Sequence, residues 1–555
     1  MKVSDLFVHI LKQHGVKYIF GIPGDAINDL MESVRQSDGI EFIQVKHEEA
    51  GALAASIQAK LTGKLTACVG TSGPGAIHLL NGLYDAKMDH APVIAITGQV
   101  ETQYIGTSYH QEVDLQRLFS DVSVYSQTVT TPAQLPDVML EGCRAAIANR
   151  AVAHINLPGD IAQKSVDKNV TDLSDTIFES KTVPSVSDCS DAVNLVSQAK
   201  RIVILAGIGV AEAKDAVIDL SSRLHAPIVR TLRAKDVIDD DHPNCIGGLG
   251  LLGGKPAIEA MSDCDLLIMV GTDFPYKEFY PAKANVIQID LEATQIGKRH
   301  PVDIGLVGHA RWVLEALLAN LEQRTDDTFM RMLCDEMSAW EKQQYNDETN
   351  DAHPIKPQKL IHEIANHAPE DCIFVCDTGT VNAWTARHLR VKPKQRFTLS
   401  SALGTMGVGL PGAIGAKLAY PDQTVMALVG DGGFAMTMSD LVTAVNYKLP
   451  MVIMILNNSK LGFIKLEQEA AGLPAFGIDL DNVDFVAFAH ACGADGIDVE
   501  HSENLGSAIE QALLAERPFI VNVKVNPDEL IMPPKIEASQ AFNFVKAKAK
   551  EWLGQ

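Results

Sequence analysis

Short apolar runs closed by glycine recur along the whole chain, with segments of helical period between them. A run of four to eight apolar residues is how a strand buried on both faces reads, and parallel strands of that kind need helical crossovers. The pattern therefore predicts an α/β protein of doubly wound parallel sheets. Three groups of runs separate from one another. YIFGIPG, EFIQVKHEEA, LTACVGTSGPG, PVIAITG and AHINLPGD form the first, RIVILAGIG, PIVRTLR, DLLIMVGTDFP and NVIQID the second, and CIFVCDTGT, VMALVGDGG, MVIMILNN and PFIVNVKV the third. Each group is expected to wind its own sheet with helices on both faces. Polar stretches at residues 163–187 and 322–357 divide the groups and read as linkers. The expected domains are residues 1–175, 185–325 and 355–534 with a tail at 535–555, since 555 residues leave room for three or four domains of ~150.

The first and third groups echo each other. Residues 69–98 and 429–458 both run strand, glycine-rich turn, helix and proline-led strand, with Gly70 to Pro92 and Gly430 to Pro450 at nearly equal separations. Any βαβ unit has that order, so the echo hints at two related sheets facing each other without demonstrating a duplication. Charge narrows the partners. Forty-seven Lys and Arg against 70 Asp and Glu leave a formal charge of −23, a field that repels polyphosphate backbones and argues against nucleic acid. No apolar run approaches the ~20 residues of a membrane span, and residues 1–20 lack the pattern of a secretory leader. Nine scattered cysteines without a CxxC pair fit free thiols in a reducing compartment. A cytoplasmic protein without stable membrane insertion is expected.

Chemistry concentrates in the third group. Gly430-Asp431-Gly432-Gly433 follows VMALV, and Asn457-Asn458 closes the next run, MVIMIL. On neighbouring parallel strands Asp431 and Asn458 would emerge together at the carboxyl edge, where open α/β sheets bind ligands. A carboxylate and an amide oxygen suit Mg²⁺, which takes its other ligands from phosphate and water. Gly432 and Gly433 leave backbone N–H groups at a helix start to meet an anion, so a diphosphate is the expected ligand. A tight turn and a helix cap would explain the same residues without chemistry.

Spacing favours the ligand. Asp431 and Asn458 lie 27 positions apart, and a GDG leading at this distance to NN resembles the signature of thiamine-diphosphate enzymes. The resemblance implies that Mg²⁺ is held by Asp431, Asn458 and the backbone carbonyl of Lys460. It also implies that Glu48, in KHEEA, hydrogen-bonds the aminopyrimidine ring and so drives activation of the cofactor, for which it must be shielded from water. A plain first-turn helix acid, stabilised by the dipole, fits Glu49 at least as well. In LGTMGVGLPGAIGAKLAYP, Met406 would hold the cofactor bent and Gly404 would offer a carbonyl, although a Met in an apolar loop is commonly filler. Asp377, Thr378, Gly379 and Thr380, after CIFVC, look like a loop on the diphosphate side.

The middle group selects a branch of the family. GLGLLGG, GTDFPYKEFYP and VIQIDLEATQIGKRHPVDIGLVG resemble the FAD-binding domain of pyruvate oxidases and pyruvate:quinone oxidoreductases. By this resemblance Gly250, Leu251, Leu252, Gly253, Gly271, Thr272, Asp273 and Phe274 lie along a flavin, and Asp290 accepts from an adenosine ribose, as acids do in dinucleotide folds. An ordinary strand edge remains open for Asp290, and Gly207-Ile208-Gly209 is only a lone GxG. LGFIKLEQE is similar to an oxidase helix in which Phe463 would stand between thiamine and flavin and Glu467 would face substrate. Their i, i+4 spacing equally suits a core Phe and a solvated Glu.

Two positions depart from the oxidase pattern. His110-Gln111 stands where oxidases carry Phe-Gln, and Thr378 where they carry Val, so both changes make the pocket more polar. A His at 110 is shared with some acetolactate synthases, whereas GTDFP differs from the RFDDR-type segment of flavin-containing ones. The resemblance implies a pyruvate oxidase using thiamine diphosphate, Mg²⁺ and FAD. Pyruvate would lose CO₂ through a hydroxyethyl group on the thiamine, electrons would pass to FAD and then O₂, and phosphate would take the acetyl group as acetyl phosphate, with H₂O₂ formed. A pyruvate:quinone oxidoreductase giving acetate with water, and an acetolactate synthase, are the same-fold alternatives. A homotetramer, as a dimer of dimers, is also implied. In the tail, Phe542, Val545, Ala549 and Trp552 can share one helical face with Lys546, Lys548 and Lys550 off it, an end expected to dock on the protein itself.

Overall fold

The computed structural model describes residues 1–166, 182–481, 483–529 and 531. The expected tail helix and the middle of the first linker lie outside the described residues. Three six-stranded sheets, parallel throughout, make the α/β architecture. The first holds β1 (Tyr18–Gly21), β2 (Glu41–Gln44), β3 (Thr66–Gly70), β4 (Val93–Gln99), β5 (Tyr125–Thr128) and β6 (Val152–Pro158), in the order β2-β1-β3-β4-β6-β5. The second holds β7 (Ile202–Ala206), β8 (Ile228–Arg230), β9 (Cys245–Gly248), β10 (Leu266–Val270), β11 (Asn285–Asp290) and β12 (Ile304–Val307), ordered β12-β11-β10-β7-β8-β9. The third holds β13 (Ile373–Cys376), β14 (Arg396–Leu399), β15 (Val425–Gly430), β16 (Val452–Asn457), β17 (Asp495–Val499) and β18 (Phe519–Lys524), ordered β14-β13-β15-β16-β18-β17.

Position by position, the first and third orders are the same. The middle sheet instead counts three-two-one-four-five-six from its β9 edge, the order of dinucleotide-binding folds. One apolar cluster joins the outer sheets, bringing Phe20, Leu53 and Ile57 together with Val375, Ile414 and Phe434, while the middle sheet keeps clusters of its own. The junction is a helix pair. Glu48–Thr62 packs on Gly409–Ala419, where a Cβ added at Gly415 would lie 2.3 Å from the Ala54 carbonyl oxygen and Gln58 Nε2 donates to the Gly415 carbonyl at 3.2 Å. Only glycine permits so close an approach of two backbones.

The polar stretch read as a second linker is structured. It contains a 21-residue helix, Thr328–Glu348, which buries Met330 and Leu333 and turns most of its charge outward. Among the described residues no helix is long and apolar enough to cross a membrane.

Candidate active site

β15 and β16 are neighbours, with Gly430 opposite Leu456, so Asp431 and Asn458 leave adjacent strands at the same carboxyl edge. Asp431 is 1% exposed and opens the helix Asp431–Thr437. Asn458 turns its Oδ1 to accept from the Lys460 amide at 3.1 Å. Gly462 draws in a third element, because a Cβ there would lie 2.7 Å from Thr380 Cγ2 and 3.1 Å from Asn458 Nδ2. The threonine loop after β13 and the two oxygen donors are therefore in one place. Added Cβ atoms at Gly379, Gly404 and Gly430 would meet nothing within 4 Å, and the Thr378 hydroxyl is buried without a hydrogen-bond partner among the described residues. Hard oxygen donors, open backbone and an unmatched hydroxyl suit a metal-bound diphosphate.

Asp377, which the sequence offers only as the first residue of a diphosphate-side loop, organises this edge. It is fully buried; its Oδ1 accepts from the amides of Thr378 (2.7 Å) and Gly407 (2.9 Å), and its Oδ2 from that of Gly409 (3.0 Å). A Cβ at Gly433 would come within 3.0 Å of the same carboxylate oxygens. Burial pushes the Asp377 carboxyl up to about 6, opposed by these backbone donors. The acid thus pins the loop 404–409, whose Gly404 (φ 66°) and Gly407 (φ 84°) take left-handed conformations, to the GDGG turn. Met406 is half-buried, its Cε 3.5 Å from where a Cβ on Gly432 would sit, so it lies over that turn. The visible signal for Asp377 was an acid directly after a buried run, the same signal that marked Asp431.

Glu48 occupies the first position of its helix and is 6% exposed. Its Oε2 lies 3.0 Å from His78 Nδ1, and a Cβ at Gly75 would stand 3.0 Å from its Oε1. His78 stacks on His47 at 4.3 Å. Glu49, half-buried, instead accepts from Asn81 Nδ2 at 2.6 Å, and Asn81 also donates to the Thr405 hydroxyl at 2.9 Å. The two adjacent acids therefore differ: one is enclosed by His78 and Gly75, the other braces the loop before Met406. That loop is held a second time by Asp89, which accepts from the amides of Ser401 (2.9 Å) and Ala402 (3.1 Å) while Lys60 bridges Asp85 (2.7 Å) and Asp89 (2.6 Å). Gln111 (φ 61°) packs its carbonyl 3.0 Å from a Cβ position on Gly73, just before the short helix that carries His78; His110 beside it is exposed. Phe463 rests on the apolar cluster of the third sheet and Glu467 is exposed. His78 and His47 escaped sequence reading because a lone histidine carries no spacing signal.

In the middle sheet β7 and β10 meet at the switch point of the strand order. Gly207 and Gly209 follow β7, and added Cβ atoms there would lie 2.2 Å from the Gly271 carbonyl oxygen and 2.6 Å from its Cα. The lone GxG is thus one wall of a glycine cradle whose other wall is Gly271 (φ 55°) and Thr272. Thr272 Oγ1 accepts from the Phe274 amide at 3.2 Å, and Phe274 meets Tyr276 edge-on at 5.5 Å. Asp273 pairs with Arg299 (2.6 Å) and Lys298 (3.3 Å). Gly250 (φ 105°) abuts Phe274, while Arg387 of the third sheet donates to the carbonyls of Leu251 and Leu252, so the 250–253 loop bridges two domains; a Cβ at Gly253 would strike the Gly248 carbonyl oxygen at 2.3 Å. Asp290 ends β11, and burial raises its carboxyl. That strand is not the one whose end bears the ribose-binding acid of dinucleotide folds. The corresponding strand, β8, ends in Arg230, whose guanidinium is occupied by Asp240 and the Lys235 carbonyl.

Comparison with known proteins agrees with this arrangement. Residues 1–118 match the N-terminal TPP binding domain of thiamine pyrophosphate enzymes, 189–317 their central domain, and 377–523 their C-terminal TPP binding domain. The chain is 42% identical over 545 residues, 98% of its length and 95% of the relative's, to YdaP of Bacillus subtilis (strain 168), which is named as thiamine pyrophosphate-containing. It is 34% identical to a pyruvate oxidase of Lactiplantibacillus plantarum, covering 96% of this chain and 90% of the other. It is 32% identical to the acetolactate synthase isozyme 2 large subunit of Escherichia coli (strain K12), covering 96% and 97%. With its three domains matched in order and its oxygen-donor edge in place, the chain belongs to the thiamine pyrophosphate enzyme family, in the branch that holds pyruvate oxidase and the acetolactate synthases.

Proposed function

We propose that the protein is a pyruvate oxidase that uses thiamine diphosphate, Mg²⁺ and FAD. The observation that carries this reading is a middle sheet wound in dinucleotide order, with a glycine-lined switch point, in the same chain as the oxygen-donor edge. When bound, thiamine diphosphate supplies the electron sink for decarboxylation of a 2-keto acid, and FAD accepts the electron pair. The overall change joins pyruvate, phosphate and O₂ to give acetyl phosphate, CO₂ and H₂O₂.

Asp431, Asn458 and the Lys460 carbonyl would hold Mg²⁺, with Thr378, Gly379, Thr380, Gly432 and Gly433 around the diphosphate. Met406 would support the cofactor from below, and Gly404 would offer its carbonyl. Glu48, 6% exposed between Gly75 and His78, would hydrogen-bond the pyrimidine ring when the cofactor is bound, and its burial would strengthen that bond. His78, whose Nδ1 lies 3.0 Å from Oε2, would orient that carboxyl. Gln111, His110 and Glu467 would face substrate and Phe463 would stand toward the flavin. The 250–253 and 271–274 loops, with Asp290, would receive FAD. We expect a homotetramer in the cytoplasm.

Anaerobic pyruvate should bleach the flavin of the purified protein, and turnover under air should yield peroxide in proportion to acetyl phosphate. Quinone reduction with acetate formed independently of phosphate would move the reading to a pyruvate:quinone oxidoreductase. One other reading, acetolactate synthase, is supported by a histidine at 110 where oxidases carry Phe and by the 32% identity to an acetolactate synthase large subunit. An unbleached flavin with acetolactate accumulating would establish it and refute the oxidase.

A further inference from the structure

We propose that Asp440, Thr443 and Tyr447 of the third domain are positioning residues for Glu48: their side chains take the place of a missing strand along the open edge of β2 and so set where that strand releases Glu48. This rests on the reading of Glu48 as the group that hydrogen-bonds the cofactor's pyrimidine ring. β2 is an edge strand. In a parallel pair, alternate residues turn their N–H and C=O groups to the neighbouring strand, and the residues between turn theirs away. The Glu41 and Val45 amides donate to the Lys17 and Gly21 carbonyls on the β1 side, so the polar groups of Phe42, Gln44 and Lys46 face outward. Water could satisfy such groups but would not fix them.

Three side chains fix them instead, at spacings of three and four along the turn Met438–Asp440, the helix Leu441–Asn446 and its C-terminal cap. The Tyr447 hydroxyl accepts from the Gln44 amide at 2.8 Å and donates to the Phe42 carbonyl at 3.0 Å. The Thr443 hydroxyl lies 3.2 Å from the Gln44 carbonyl oxygen and 2.9 Å from Asp440 Oδ1, which itself accepts from the Lys46 amide at 2.9 Å. Every outward group from the Phe42 carbonyl to the Lys46 amide is met in this way. Asp440 and Thr443 are fully buried. Lys46 stands two residues before Glu48, and His47 between them caps the helix. β14, the matching edge of the third sheet, is treated alike. Asp236 of the middle domain accepts from the Phe397 amide at 3.2 Å, and Lys60 of the first donates to the Leu399 carbonyl at 3.1 Å, just before the loop that carries Gly404 and Met406. Each outer sheet thus has the strand that feeds its functional residues held from another domain. Because misplacing a reacting group by about 1 Å can cost on the order of a hundredfold in rate, part of such a loss should follow when one contact of several is removed.

The test compares Tyr447→Phe, which deletes the hydroxyl and keeps the ring in its apolar contacts, with Tyr420→Phe as control. The Tyr420 hydroxyl also ties the third domain to the first, donating to the Leu61 carbonyl at 3.0 Å, but at the far end of the helix that Glu48 begins. In the full chain freed of cofactor, amide exchange over residues 42–48 should quicken about fivefold in Tyr447→Phe and stay at the wild-type rate in Tyr420→Phe. Reloaded, Tyr447→Phe should bind Mg²⁺ and thiamine diphosphate within about twofold of wild type, yet exchange the thiazolium C2 proton for deuterium about five- to tenfold more slowly, with kcat falling in step. Wild-type C2 exchange in Tyr447→Phe, whatever its amides do, would overturn the proposal. So would slowed C2 exchange with the 42–48 amides unchanged, or equal slowing in both variants, which would reduce the contact to general stability. Should Tyr447→Phe not fold, Thr443→Val is expected to slow C2 exchange and Thr443→Ser to restore it, and a wild-type rate in Thr443→Val would overturn the proposal equally. Glu48→Gln separates this inference from the reading beneath it. If that variant exchanges C2 as fast as wild type, the role of Glu48 falls; if it does not and Tyr447→Phe does, only the positioning falls.

Discussion

The first and third sheets share one strand order but not one chemistry. β2 reaches its helix through three residues, 45–47, and places Glu48 at the first helical position; β14, in the matching place, reaches its helix through nine, 400–408, which carry Gly404 and Met406. β3 is followed by Thr71-Ser72-Gly73, β15 by Asp431-Gly432-Gly433. The helices after the unequal loops, Glu48–Thr62 and Gly409–Ala419, then pack on each other. Shared topology determines where the edges fall, and under the proposed function a handful of loop residues would divide the work between a proton-handling half and an anchoring half.

The sharpest way to break that division is to show that either half does the other's work. Glu48→Gln should keep Mg²⁺ and cofactor affinity near wild type while turnover falls by about a hundredfold or more, as for loss of a general acid–base group; normal turnover would remove Glu48 from its role. Asp431→Ala should do the reverse. Metal and cofactor affinity should weaken together by about ten- to a hundredfold, read by titrating Mg²⁺ at fixed thiamine diphosphate. If only one of the two affinities moved, the metal would not sit between Asp431 and the diphosphate.

Which features could be seen in the sequence follows the same physics. The runs that stood out as strands include every interior strand of all three sheets. Those passed over, β5, β9, β12, β14 and β17, are all sheet edges. An edge strand need not be apolar on both faces: β5 is YSQT and half-buried throughout, and β17, DGIDV, buries only its last residue. Asp431 and Asn458 were legible because two local motifs had a defined separation. His78 was not, and Asp377 and the Gly207–Gly209 turn were visible only as part of a loop and as a lone GxG, since the weight of all three comes from what the fold brings against them: a carboxylate, two loop amides and the Gly271 backbone respectively. The stretch at 322–357 misled for a related reason, because a helix that buries only Met330 and Leu333 over six turns reads as polar linker.

A smaller effect should come from the seam between the halves. Gly415→Val forces a Cβ toward the Ala54 carbonyl oxygen, which backbone cannot easily yield, and should destabilise by about 1–3 kcal/mol. Because a single apolar cluster joins the outer sheets, both should lose hydrogen-exchange protection together. Loss confined to one sheet would mean that the seam does not couple them.

The finest distinction between the two sheets is how each responds to acid. His154, on β6, is buried between the Thr97 and Ser126 hydroxyls, each 2.8 Å from a ring nitrogen, and stacks on Phe119; burial lowers it to about 3. A depressed folded value means that the stability it contributes is complete above the ordinary histidine value near 6.5 and is lost as pH falls toward 3. Asp377 runs the other way. Its carboxyl is raised to about 6 from 3.8, so its contribution is complete below 3.8 and is lost as pH rises through 6. Between about pH 6 and 4, acidification should therefore weaken the first sheet and strengthen the third, each by at most about 1.4 kcal/mol per pH unit for one proton. Hydrogen exchange resolved by strand can follow this, with His154→Gln expected to flatten the slope in β4 and β6, and Asp377→Asn the opposite slope in β13 and β15. Parallel slopes in the two sheets, unchanged by either substitution, would show that sheets alike in topology are alike in their buried charges too.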